Sequence, residues 1–148
     1  MIVHHQKGRH YARLFDVLGV WAKALRRPKS VRLCFTHQSE YTLDRGDQYD
    51  WNKAIGWGGL RVKRINGVWT RKTEDFLVWR YDAKANEFHV ATYQRRNYEM
   101  ILPKAWRTVS KHIITEFDLS HLKKNIIPLG AYFGGNRTAP KDLKYMMQ

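Results

Sequence analysis

Cysteine is nearly absent: Cys34 stands alone in 148 residues. A disulfide framework is excluded, and so is a zinc site built on several thiolates. Cys34 lies in the strand-like run VRLCFT and reads as a small buried apolar residue. The histidines are scattered, with no HxxxH or HExxH spacing among them, so metal catalysis has no sequence signature. Long apolar runs are missing too, and none approaches the ~18 residues that a membrane-spanning helix needs. The opening MIVHHQKGRH is charged too early for a secretory signal, and no uninterrupted apolar stretch follows it. GWGG lacks the lysine and helix of a P-loop, and neither GxGxxG nor a GxSxG elbow occurs. The adjacent acids Glu74 and Asp75 would face opposite sides of a strand, which does not make a hydrolytic pair. No enzyme and no cofactor is expected.

Acid is the other scarce commodity. Thirteen acidic residues stand against 27 bases, for a net charge of +14. Such a balance points to an acidic partner surface, whether protein, nucleic acid or lipid. The excess is densest at the start, where the first thirty residues hold seven bases and the single acid Asp16.

Within that stretch, residues 10–27 read as a helix. Tyr11, Leu14, Phe15, Leu18, Trp21 and Leu25 recur at steps of three and four, the spacing of one helical face. Arg13, Lys23, Arg26 and Arg27 occupy much of the remainder, and Pro28 ends the run. Left in water, a helix of this length with Gly19 at its centre would be marginal. Its apolar face is therefore expected to be covered, and a docking helix for an acidic partner chain is the expectation. Residues 1–30 are taken as a basic helical segment and 31–148 as the folded domain.

From Val31 the period changes to two. Val31, Leu33 and Phe35 alternate onto one face. Asn66-Gly67 between two strand-like arms is a two-residue hairpin signal. FLVWRY and EFHVATYQ flank the polar loop DAKAN as a second hairpin. Alternation puts Phe76, Val78 and Arg80 on one side, and Leu77, Trp79 and Tyr81 on the other, core-facing side. NYEMIL, HIITEFDL, LGAYF and DLKYMM complete the set of short strands. Their number, with so little helix, predicts a mainly β protein: an antiparallel two-layer β-sandwich, jelly-roll-like, with a basic amphipathic N-terminal helix. In YFGGNRTAP, Gly134, Gly135 and Asn136 license a corner between the last strands, and at least one glycine there is expected to have positive φ.

Three stretches also carry a resemblance: DQYDWNKAIGWG, FLVWRYD and YFGGNRTAP with a terminal strand after it. Together they resemble an uncharacterised family of small β-sandwich proteins of tailed bacteriophages, particularly those infecting Bacteroidota. The shared residues are Asp47, Asp50, Trp51, Asn52, Lys53, Tyr132, Phe133, Gly134, Gly135, Asn136 and Pro140. Where members read His-His shortly after the Asn-Lys-x-x-Gly motif, this chain reads GGLRVKR. The resemblance implies a sandwich fold and a virion setting, or the cytoplasm of an infected bacterium, and brings no established reaction.

The acids Asp44, Asp47 and Asp50 lie close in sequence and are weak calcium candidates, without the EF-hand pattern. The expected function is a non-enzymatic structural or interaction protein, a minor component of a virion or similar assembly. Interleaved aromatics and bases such as VWTRK and YQRRNY keep open a nucleic-acid-binding subunit of a ribonucleoprotein. An exposed tryptophan near Asn52 or Asn136 would instead begin a sugar site in a lectin-like module.

Overall fold

Ten short strands build two facing antiparallel sheets, two more form a separate hairpin, and one α-helix packs alongside. The computed structural model describes residues 1–148, apart from the side chain of Arg45. The smaller sheet has the order β1 (Ile2–His5), β12 (Leu143–Met147), β2 (Ser30–Phe35), β10 (Thr115–Asp118). The larger runs β11 (Ile127–Tyr132), β3 (Asn52–Gly58), β6 (Glu74–Asp82), β7 (Glu87–Arg96). The free side of β7 is then shared by β8 (Glu99–Ile101) and β9 (Arg107–Val109), which pair with its opposite ends.

The alternation read from the sequence is the alternation observed. Leu77, Trp79 and Tyr81 of β6 are buried between the sheets, facing Leu33 and Phe35 of β2 and Leu143, Tyr145 and Met147 of β12. Phe35 stacks on Phe88 at 4.6 Å between ring centres and tilts against Trp79 at 5.1 Å. Each buried Leu, Phe or Met contributes about 1.5–3 kcal/mol relative to exposure. The opposite face of β6 and β7 carries a second apolar group, Phe76, Val78, Ala91 and Tyr93, with Trp51 and Leu129 at its edge.

The N-terminal thirty residues are not a separate unit, which corrects the expected division. β1 pairs with β12 through Ile2↔Met146 to His5↔Leu143, a strand the charged opening did not disclose. Helix α1 (Leu14–Leu25) packs over β11 and β3, and Val3, Val17, Val20 and Ala24 belong to the same core as the sheets. Asp16 ties the first helical turn to β1, accepting the His4 N–H and the Arg13 Nε–H, both at 3.1 Å. At the other end the Trp57 indole donates to the Ala24 carbonyl at 2.9 Å. Arg27 takes φ of 52°, the left-handed position that closes a helix, before Pro28.

The Asn66-Gly67 hairpin is present, with both residues at positive φ, but it stands apart from the two layers. Its strands β4 (Val62–Ile65) and β5 (Val68–Arg71) pair only with each other, and most of their side chains are exposed. At the last corner Gly134 has φ of 66°, while Gly135 does not need the left-handed region.

Candidate functional site

The helix meets its own sheet through a side that the sequence reading did not single out. Its small side, Val17, Val20 and Ala24, faces the sheet. They share the core with Ala131 of β11. The larger apolar residues point outward: Phe15 is 85% exposed, Leu14 69% and Leu25 63%, with Tyr11 and Leu18 also exposed. Positions 14, 18 and 25 form one stripe along the helix, with Phe15 beside it; Tyr11 lies before the helix, bridged to Tyr132, so the helix expected over 10–27 is shorter at its start. Trp21 leaves the stripe and packs, half-buried, against the core.

The four bases expected to frame this face are not equivalent. Arg13 is paired with Asp16, and Arg27 donates to the Lys124 carbonyl at 2.5 Å. Lys23 and Arg26 have no ion-pair partner among the described residues. Arg26 is exposed and follows directly on Leu25 at the C-terminal end of the stripe.

A second charged surface lies on the β4–β5 hairpin. Residues 61–72 contain Arg61, Lys63, Arg64, Arg71 and Lys72 and no acid. Trp69 is 68% exposed there, with the Arg64 guanidinium 5.7 Å from its ring centre.

The three stretches that carry the family resemblance meet around one cleft of about 300 Å³ on the outer face of the larger sheet. Asp50, Trp51 and Lys53 come from the first stretch, Val78 and Arg80 from the second, Gly134 and Gly135 from the third. Asn52 stands behind the cleft, buried, its Oδ1 accepting the Gly134 N–H at 2.6 Å. Gly135 is small for a reason of space, since a Cβ there would lie 2.9 Å from an Asp50 carboxylate oxygen. Phe133 is core, and Pro140 lines a different surface beside Tyr41 and Lys141.

Two cations of the cleft are held by rings. The Lys53 ammonium lies 5.0 Å from the ring centre of Tyr132, 5.7 Å from Tyr93 and 5.8 Å from Phe76. No hydrogen-bond acceptor or carboxylate pairs with it among the described residues. Burial holds its pKa below the ordinary lysine value, with Glu74 and Asp50 opposing and Arg95 adding to the shift. The Arg80 guanidinium lies 4.2 Å from the Trp51 ring centre and 4.5 Å from that of Trp106. Burial raises the Asp50 carboxyl, with help from Asp47, while the N–H groups of Asn136 and Gly135 and the Lys53 charge act against it. Arg80 was placed on this face by strand alternation. Met100, Leu102 and Pro103, which close the rim, come from the β8 arm and had no local signal.

The acids proposed for calcium do not gather. Among the described residues, the one group of three ligand-type side chains within 4.8 Å is Asp82, Glu87 and His89, without Asp44, Asp47 or Asp50. That group is already engaged. Arg80 Nε, which can only donate, meets His89 Nδ1 at 3.1 Å, so the ring proton sits on Nε2 and is given to Glu87 at 2.9 Å. Asp82 accepts the Lys84 and Ala85 N–H groups of the following turn. Glu74 and Asp75 also act separately, Glu74 towards Arg71 and Arg95 and Asp75 towards Arg96. Compared with protein-family models, curated proteins and solved structures, the chain matches none of them.

Proposed function

We propose that this protein is a non-catalytic docking subunit of a larger assembly, and that the outward face of α1 is where a neighbouring chain binds. One observation carries the reading. The helix spends its small side chains on its own sheet and leaves Leu14, Phe15, Leu18 and Leu25 in solvent. A contiguous apolar stripe of this kind is uncommon on a monomer surface. The occupant is an acidic amphipathic segment of a different protein. A second copy of this chain would bring Arg26 and a net charge of +14 against their like. Apolar anchors would supply affinity, and Lys23 and Arg26 would supply steering. The virion as the assembly rests on the family resemblance.

The test is incorporation of a Leu14→Ser/Phe15→Ser/Leu18→Ser variant into the particle that contains the wild-type chain. All three residues are exposed, so the melting temperature should hold while incorporation is lost. Unchanged incorporation, or dimerisation of the isolated wild type through this face, would overturn the reading.

The hairpin favours a second reading, contact with nucleic acid. An acid-free ribbon of five bases with an outward tryptophan suits phosphate contact and base stacking. It predicts that Lys63→Gln/Arg64→Gln weakens binding to DNA or RNA and flattens its salt dependence by roughly two counter-ions' worth of slope.

A further inference from the structure

The cleft on the outer face of the larger sheet plays no part in docking at the helix or the hairpin. We propose that it is a binding site for an acidic sugar, taking a single uronic-acid unit of a saccharide.

The chemistry of the walls narrows the ligand stepwise. Lys53 is an ammonium in a cage of three rings with no acceptor, and a carboxylate supplies the missing partner. Arg80 adds a second positive charge nearby, fixed by Trp51, Trp106 and its bond to His89. Asp50 lines the same cleft and sets a limit on negative charge. Two cations and one carboxylate leave room for a monoanion and disfavour a doubly charged phosphate. Asp50 takes the Asn136 and Gly135 N–H groups, and its remaining lone pairs demand hydrogen-bond donors on the ligand. An ammonium would meet that demand but would lie against Lys53 and Arg80, so neutral hydroxyls fit better than the amine of an amino acid. The remaining walls, Tyr49, Trp51, Tyr93, Met100 and Leu102, are apolar or aromatic and suit the C–H faces of a sugar ring. A volume of about 300 Å³ stands at the small end of ligand sites and matches one ring rather than a long chain. Gly134 and Gly135 keep the rim low, so that neighbouring sugar units could run out past it.

The experiment is calorimetric titration of the full chain with D-glucuronate, D-galacturonate and short oligomers of each. Neutral hexoses, L-glutamate and inorganic phosphate are titrated alongside. Uronate should bind saturably and at least tenfold more tightly than the hexose that lacks the carboxylate. Lys53→Met should erase that preference with the fold retained. Leu102→Glu places a carboxylate on an exposed rim position, so it should leave the fold intact and weaken uronate at least tenfold. If Lys53→Met fails to fold, Leu102→Glu decides. Equal affinity for uronate and hexose, tighter binding of glutamate or phosphate, or unchanged uronate affinity in Leu102→Glu would each overturn the proposal. The helix-face variant should keep uronate binding, which separates failure of this site from failure of the docking reading.

Discussion

Asn52 of β3 and Gly134 of the last corner are 82 residues apart and share a buried 2.6 Å hydrogen bond. The same amide donates through Nδ2 to the Tyr41 hydroxyl at 3.0 Å, and that hydroxyl also accepts the Tyr81 N–H at 3.3 Å. One side chain thus ties together the strand below the cleft, the glycine corner at its rim and the loop before β3. Low dielectric strengthens such a network when it is complete and penalises it when it is broken.

Asn52→Leu should therefore cost more than its loss of polarity suggests. It leaves the Gly134 N–H without an acceptor and takes from the Tyr41 hydroxyl one of its two donors, the Tyr81 N–H remaining. A stranded buried group costs about 1–3 kcal/mol and a lost hydrogen bond about 1, so a destabilisation of about 2–4 kcal/mol is expected in urea unfolding. A loss under 1 kcal/mol would mean that the corner does not depend on Asn52.

Arg96 holds the one fully buried carboxylate of the larger sheet's end. Its Nη1 and Nη2 donate to the two Asp75 oxygens at 2.7 and 3.0 Å, and the Lys123 N–H adds a third bond at 3.1 Å. Arg96→Met strands the Asp75 charge with no exposure to water. The expected loss is about 3–5 kcal/mol. Asp75→Asn/Arg96→Met should recover part of it, since the charge is removed with its partner. A double variant no more stable than the single would count against the pair.

Deleting residues 141–148 should abolish cooperative unfolding. β12 lies between β1 and β2, and Leu143, Tyr145 and Met147 are all buried. Its removal takes out the centre of the smaller sheet, leaving β1 without a partner. A soluble truncation with a sharp melting transition would contradict this.

Much of the sandwich was legible because its physics is local. Period-two burial at Leu33, Leu77, Trp79 and Tyr145, and the paired left-handed angles of Asn66 and Gly67, follow from residue type and neighbours alone. The failures are equally specific. β1 is only four residues long and borrows its stability from β12, so its own sequence carries no strand signal. The helix periodicity marked one apolar side, with Leu14, Phe15, Leu18 and Leu25, and said nothing of the side that meets the sheet. That side is Val17, Val20 and Ala24, which share the core with Ala131 of β11. The cleft was half visible. Its three stretches were singled out in sequence, yet Tyr93 and the β8 arm enter only through strand order, which no local pattern encodes.

The last prediction concerns acid stability and rests on His5. Its side chain is fully buried between Phe133 and Tyr145, with both ring nitrogens lacking a hydrogen-bond partner. Burial pulls its pKa from 6.5 down to about 4. The main-chain group of His10 and the Asp16 charge work against that shift, and His4 works with it. A depressed histidine pKa means that the unfolded chain binds the proton first. Stability is therefore full above pH 6.5 and is lost as pH falls from 6.5 towards 4. For this one group the loss between pH 7.5 and 4.5 is about 2–3 kcal/mol. Carboxylates held low by donors, such as Asp142 beside the Lys7 N–H and Asp118 beside Ser120, add their own losses further down. They do so equally in a variant that lacks His5. His5→Leu fills the same apolar site without a titrating group, so its unfolding free energy should fall by about 2–3 kcal/mol less over that window. Urea titrations of both proteins at pH 7.5 and 4.5 make the comparison. Parallel losses in the two proteins would show that His5 is not the group that senses acid.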